Sequence, residues 1–244
     1  MMDWLRANQK IRSEKRCIEI AGRTLPITIK RHRTAKRLIM RLAPDGSELR
    51  VTMPRWGQSV DALEFAESRR SWIAAQLDKV EEARPPRPDG QIDFIGEPVT
   101  IAWDPQAPRK PRLLETTLHI GGPEDSLRSR IERWLRDEAL AIMDRDLAEY
   151  CALAEVTKPD LKLSRAQRRW GSCSSSGTVR INWRLIMAPA DVRRSVVAHE
   201  VAHLLHFDHG PAFYAALDRI FEGDIDAANA WLKAKGRALY GPFG

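Results

Sequence analysis

Apolar residues keep a helical spacing longest between residues 127 and 150. There Leu127, Ile131, Leu135, Ala139, Ile142, Met143, Leu147 and Tyr150 form one stripe and predict a long amphipathic helix. Residues 17–55 instead alternate loosely and carry a turn signal at Pro44, Asp45 and Gly46, which predicts strands. Ser59 opens a stretch in which Leu63, Phe65, Ala66, Trp72, Ile73 and Leu77 recur at spacings of three and four; a single helix over 59–80 is expected. Three prolines and a glycine within 81–90 end it as a linker or long turn. Residues 91–121 read as strands again.

Beyond the long helix, two β-type runs around Ser174 and Gly177 predict a hairpin over about 161–187. Asp191 is the expected N-cap of the next helix, and Gly210 with Pro211 closes that element, so that it ends near Asp208. Short helices over 212–221 and 225–238 complete the chain. No internal repeat or low-complexity tract is legible. The pattern gives an α+β protein. A β-rich region with one helix, residues 1–121, precedes a helical domain, residues 122–244, with the hairpin beside its central helix.

The chain has 244 residues, 43% hydrophobic and 30% charged, enough apolar material to bury a core and to exclude disorder throughout. No apolar run reaches the ~18–20 residues that cross a bilayer. The start lacks an apolar stretch of the signal-peptide kind, and three widely spaced cysteines, Cys17, Cys151 and Cys173, make no disulfide framework. A cytoplasmic protein is expected. Charge is uneven. Residues 1–60 hold 14 Lys and Arg against 5 Asp and Glu, a net of +9, within a chain total of +7. That basic end, with Lys30, Arg31, Arg33, Lys36, Arg37 and Arg41 close together, predicts weak, salt-sensitive nucleic-acid binding as an alternative to a merely solvated strand face.

The sharper anomaly is histidine. Four of the six, His199, His203, His206 and His209, fall within eleven residues. His199, Glu200 and His203 form H-E-x-x-H. On a helix, positions i and i+4 share a face, so both imidazoles reach one ion, and Zn2+ suits them. Glu200, beside the first ligand, is placed to accept a proton from water that the ion has acidified. A catalytic zinc usually takes a third protein ligand. His206 sits ~10 Å along an unbroken helix from His199. Glu222 could return on a following helix. His209 precedes the Gly210–Pro211 break and can swing back over the ion. His209 is favoured, with Glu222 second and His206 a supporting or surface residue.

Arg169, Trp170, Gly171, Ser172, Cys173 and Ser174, then Gly177, then Ile181 to Leu185, then Ala188 and Pro189, then His199 to Leu204 and His209 to Phe213 follow one another in a characteristic order. In this the chain resembles the YgjP-like metallopeptidases, themselves distantly similar to the SprT and Spartan-like proteases. The strong signature covers residues 165–214. The resemblance implies a zincin-like metallopeptidase domain cleaving a peptide or protein substrate, with His199, His203 and His209 on zinc and Glu200 as catalytic base. It also admits a protease brought to its substrate by nucleic acid. Gly210 and Tyr214 stand where the family has serine and tryptophan.

Zincin-type peptidases often add an extended substrate to an exposed strand edge, and the hairpin before the metal helix is the candidate. Trp170, Gly171 and Ser172 are its expected substrate-binding residues: Gly171 for close backbone approach and Trp170 as an apolar wall. Cys173 reads as a small packed residue. Arg168, Arg169 and Arg184 are candidates for oxyanion stabilisation. A nucleic-acid-associated protein with a closed, structural zinc site is the competing reading.

Overall fold

The computed structural model describes residues 15–43, 45–78, 85–174 and 177–243. Pro44, residues 81–84 and residues 175–176, which the sequence assigned to turns and a linker, lie outside them. The protein is α+β, and its described residues divide into two compact units, one up to residue 78 and one from residue 85 to 243. The division therefore falls within the Pro-rich stretch and not at 121–122. The strands of 91–121 belong with the long helix because their apolar faces share its core.

In the first unit, β1 (Lys15–Ile20), β2 (Arg23–His32), β3 (Ile39–Leu42) and β4 (Leu49–Pro54) form a sheet in the order β1-β2-β4-β3. β2 and β4 run parallel; the outer pairs are antiparallel. Leu25, Ile27 and Ile29 alternate with exposed positions along β2, the period-two signature of a half-buried strand. Helices α1 (Ser59–Glu67) and α2 (Arg70–Leu77) complete the unit, with Ala62, Ala66, Ile73 and Leu77 joining the core. The single helix expected over 59–80 is thus two. The chain breaks at Ser68, whose hydroxyl donates to Phe65 O at 2.9 Å, and Arg69 leaves the helical region at φ −115°, ψ 20°.

The second unit opens with β5 (Gln91–Phe94), β6 (Glu97–Asp104), β7 (Arg112–Leu114) and β8 (Thr117–Gly121), in the order β5-β6-β8-β7. Order and orientations repeat those of β1 to β4. Both first hairpins turn on two residues at positive φ, Ala21 and Gly22 in one, Ile95 and Gly96 in the other, the backbone of a type I′ turn. Each sheet also buries the matching pairs Ile18 and Ile92, Leu25 and Val99, and Ile27 and Ile101. A structural repeat is therefore present where the sequence showed none.

α3 (Leu127–Leu153) then runs through the core and buries Leu127, Ile131, Leu135, Ala139, Met143, Leu147 and Tyr150. β9 (Leu161–Ser164), β10 (Gly171–Cys173) and β11 (Val179–Asn182) form a mixed sheet in the order β10-β11-β9. The expected hairpin is confined to β10 and β11; β9 pairs β11 in parallel, and Trp183–Met187 is a 3-10 turn. α4 (Ala190–Leu205), α5 (Pro211–Ile220) and α6 (Ile225–Lys235) follow. Pro189, not Asp191, is the N-cap of α4, and Asp191 lies in its first turn, where a carboxylate favours the helix dipole. Among the described residues, no helix is long and apolar enough to cross a membrane.

Two contacts fix α4 in place. The Gly96 turn lies against its first residues: Ile95 N–H donates to Ile186 O at 2.7 Å, and a Cβ at Gly96 would stand 2.8 Å from Pro189 Cα. On the other side, Arg193 Nε donates to Asp146 Oδ2 of α3 at 2.8 Å, with both side chains buried, and Arg194 Nη1 lies 3.3 Å from Asp146 Oδ1. Asp146→Ala would strand the buried Arg193 guanidinium. Removing one partner of such a pair costs ~3–5 kcal/mol. Denaturant unfolding should register a loss of that order; a change inside experimental scatter would show that Asp146 does not hold α4.

Candidate metal centre

α4 is buried nearly all round, through Val192, Val197, Ala198, Val201 and Ala202. This leaves one strip, carrying His199 and His203, only half-buried. The helix stops at Leu205: His206 has left the helical region at φ −139°, ψ 118°, three residues before the end expected near Asp208. The chain then returns through His209 into α5, where Gly210 is the N-cap and Pro211 occupies the first turn, a position that tolerates its missing N–H.

The return brings His209 over the helix. Ligand atoms of His199, His203 and His209 all lie within 4.8 Å of one another. His199 Nε2 and His209 Nε2 face each other at 3.2 Å; two ligands of a tetrahedral ion at ~2.0–2.1 Å stand about 3.3 Å apart. His203 Nδ1 lies 3.1 Å from His206 O. A carbonyl only accepts, so Nδ1 carries the proton and the Nε2 lone pair is left for a metal. Phe213 backs the group, its ring centroid 4.6–4.9 Å from all three imidazoles. Burial, followed by the charges of His203 and His209, pushes His199 down to about 4. Burial also lowers His203, outweighing the carbonyl of His206. Neutral imidazole is the form that binds a metal. Three convergent imidazole nitrogens therefore fit a divalent ion.

Glu200, which lines a cleft, is 5% exposed. It is pressed so closely onto β10 that a Cβ at Gly171 would stand 2.7 Å from its Cγ and Cδ, and closer still to Oε1. Only glycine fits there, so the close approach expected at Gly171 is that of this carboxylate. Burial raises Glu200 to about 7, opposed by a hydrogen bond from the Cys173 main chain and by the charge of Arg169. Oε2 is buried with no protein partner, which is costly unless something in the cleft supplies one.

The cleft holds about 210 Å3 between β10 and α6, with Trp170, Gly171, Val196, Glu200, Ile225 and Leu232 on its walls. β10 is an edge strand. Asn182 N–H donates to Trp170 O at 2.7 Å and Ser174 N–H to Thr178 O at 3.0 Å. In an antiparallel ladder this alternation aims the main-chain groups of Gly171 and Cys173 at the open edge.

The other candidates lie elsewhere. Glu222 accepts from Tyr150 Oη at 2.9 Å and from Arg194 Nε at 2.6 Å. Burial raises it, but hydrogen bonds from Arg194, its own backbone and Tyr150 outweigh this and hold it below the ordinary carboxylate range. It is an ion-pair partner of α4 and no member of the histidine cluster. The His206 side chain is also outside the cluster. Ser172 does not line the cleft. Trp183 is core, whereas Trp170 packs on Tyr240 at 5.7 Å and walls the cleft. Arg184 is buried over the rings of Trp183 and Tyr240; Arg168 and Arg169 are exposed. The sequence reading missed Phe213 and the Cys173 N–H. Phe213 lay in plain view at i+4 from His209, but nothing in the sequence marks a main-chain donor.

No curated protein matches the chain. Among solved structures, the metallopeptidase zymogen of Pyrococcus abyssi abylysin is similar over 38% of this chain and 93% of its own, at 15% identity and a TM-score of 0.36. A family model described as the YgjP-like metallopeptidase domain matches residues 36–235. That span is most of the chain and takes in the histidine cluster, Glu200 and β10, so the chain belongs to the YgjP-like metallopeptidase family.

Proposed function

We propose that the protein is a zinc-dependent peptidase in which His199, His203 and His209 hold the ion and Glu200 is the general base. The observation that carries this reading is the pairing of three convergent imidazoles with a buried carboxylate whose Oε2 has no protein partner. All-nitrogen donors, two of them at tetrahedral spacing, favour zinc over the oxygen-seeking Ca2+ and Mg2+. When bound, the ion supplies Lewis-acid polarisation of water and of the scissile carbonyl.

The chain's own residues do the rest. Glu200, which lines the cleft, is the group to take a proton from the attacking water, and the same carboxylate can deliver it to the leaving amine. The Cys173 N–H and the absence of a side chain at Gly171 fix the carboxylate's orientation. The edge of β10 offers the remaining main-chain groups of Gly171 and Cys173 to an extended peptide, and Trp170, Val196, Ile225 and Leu232 take an apolar side chain beside it. A closed structural site is less well supported, because no fourth protein ligand joins the cluster among the described residues.

The purified chain should contain one zinc per molecule by elemental analysis and should cleave unstructured peptides. His199→Ala and His203→Ala should each lose most of the metal, and some stability with it. Full occupancy in both variants would remove the site.

A further inference from the structure

A second cleft, of about 500 Å3, opens between residues 109–111 and the first turns of α3. Arg109, Lys110, Arg130 and Arg133 line it, with Asp137 as the one carboxylate and Trp134 on its apolar side. The lining has a net charge of +3. Among the described residues none of the four cations forms an ion pair. Glu124 and Asp125, next to α3, are exposed and do not line the cleft.

Cations assembled without counter-charge are unfavourable, and here the fold enforces the assembly. Gly122, at φ +86°, brings two arginines to one point: where its Cβ would stand, Arg130 Nη1 is 2.5 Å away and Arg109 Cγ 2.9 Å away. Arg130 is only 8% exposed. Its Nη2 donates to Pro123 O at 2.7 Å and its buried Nε has no partner. A buried guanidinium satisfied by one carbonyl, in a cleft lined by other cations, is unfavourable unless an anion completes it. It also sits in the first turns of α3, where the helix dipole disfavours a cation and favours an anion.

We propose that this cleft binds a small anion carrying two linked phosphates, seated on Arg109 and Arg130 with Lys110 and Arg133 at the rim. Guanidinium groups suit phosphate oxygens because their forked donors match them bidentately. One phosphate carries about −1.5 to −2 near neutral pH, so two balance a lining of +3. A single phosphate would leave most of the cleft empty. Free diphosphate and a nucleoside diphosphate share this chemistry; the second adds a body to lie against Trp134 and Pro111.

Isothermal titration of the full-length, metal-loaded protein with pyrophosphate and with ADP, at constant ionic strength, tests the assignment. The comparison is the double variant Arg109→Ser, Arg133→Ser, whose altered side chains are exposed and should leave fold and metal content unchanged. One equivalent should bind, at least about tenfold more weakly in the variant through lost charge-assisted hydrogen bonds. Tighter binding of ADP assigns the nucleotide as the natural class, and equal binding assigns the inorganic anion. Equal affinity of wild type and variant would place the anion at the metal instead and overturn the proposal. So would saturable binding of an oligonucleotide alone, with neither small anion bound.

Discussion

Glu200→Gln should keep its zinc and lose peptide hydrolysis by about 10²–10⁴-fold, the usual contribution of a positioned general base. Gln has nearly the shape of Glu, so it can occupy the slot over Gly171 and accept from the Cys173 N–H through its amide oxygen. What it cannot do is take a proton from water. The expected signature is therefore a fall in kcat with unchanged metal content and little change in KM. Gly171→Ala provides a second route to the same loss. Its Cβ would overlap the Glu200 side chain and displace the carboxylate without altering any of its atoms or any histidine. Undiminished turnover in Glu200→Gln, at full metal occupancy, would refute the role of Glu200 as base.

The centre was legible in the sequence to different depths for different residues. His199 and His203 are an i, i+4 pair, and helix geometry alone sets them on one face. His209 was inferred from the Gly210–Pro211 break, yet α4 ends earlier, at Leu205. Glycine and proline mark where the next helix begins; the stop itself coincides with the contact between His206 O and the His203 ring, a tertiary interaction without a propensity. Gly171 was read as a place for substrate to approach, whereas the structure fills it with Glu200. Sequence shows that a glycine spares room but not for what.

The repeated sheet is the larger omission, and its physical reason is simple. A strand needs only alternation and a turn, so two copies of one topology share little beyond Gly22 and Gly96 and a few buried aliphatics. The break between α1 and α2 was hidden for a related reason. Ser68 and Arg69 are ordinary helix residues, and it is local hydrogen bonding that ends the helix there. Conversely, the stripe on α3 was unambiguous because more than six turns of one periodicity leave no alternative register.

The third ligand decides the kind of metal site that the proposed zinc centre would be. His209→Ala should lower zinc affinity by orders of magnitude, while Glu222→Ala and His206→Ala should change it little. The argument rests on what each side chain already does. His209 Nε2 meets His199 Nε2 at 3.2 Å, and among the described residues no carboxylate joins them as a ligand. His206 contributes its carbonyl, which orients His203 and survives replacement of the side chain. Glu222 is committed to Arg194 and Tyr150, so its loss should appear in thermal stability before it appears in metal content. Arg194 would still keep Glu149 and Asp146 as partners, which bounds that destabilisation well below the cost of stranding Arg193. The series is read by competitive zinc titration against a chromogenic chelator. If Glu222→Ala strips the metal and His209→Ala retains it, the site is of the two-histidine, one-glutamate kind, and the link from residue 206 to residue 211 serves to shape the cleft alone.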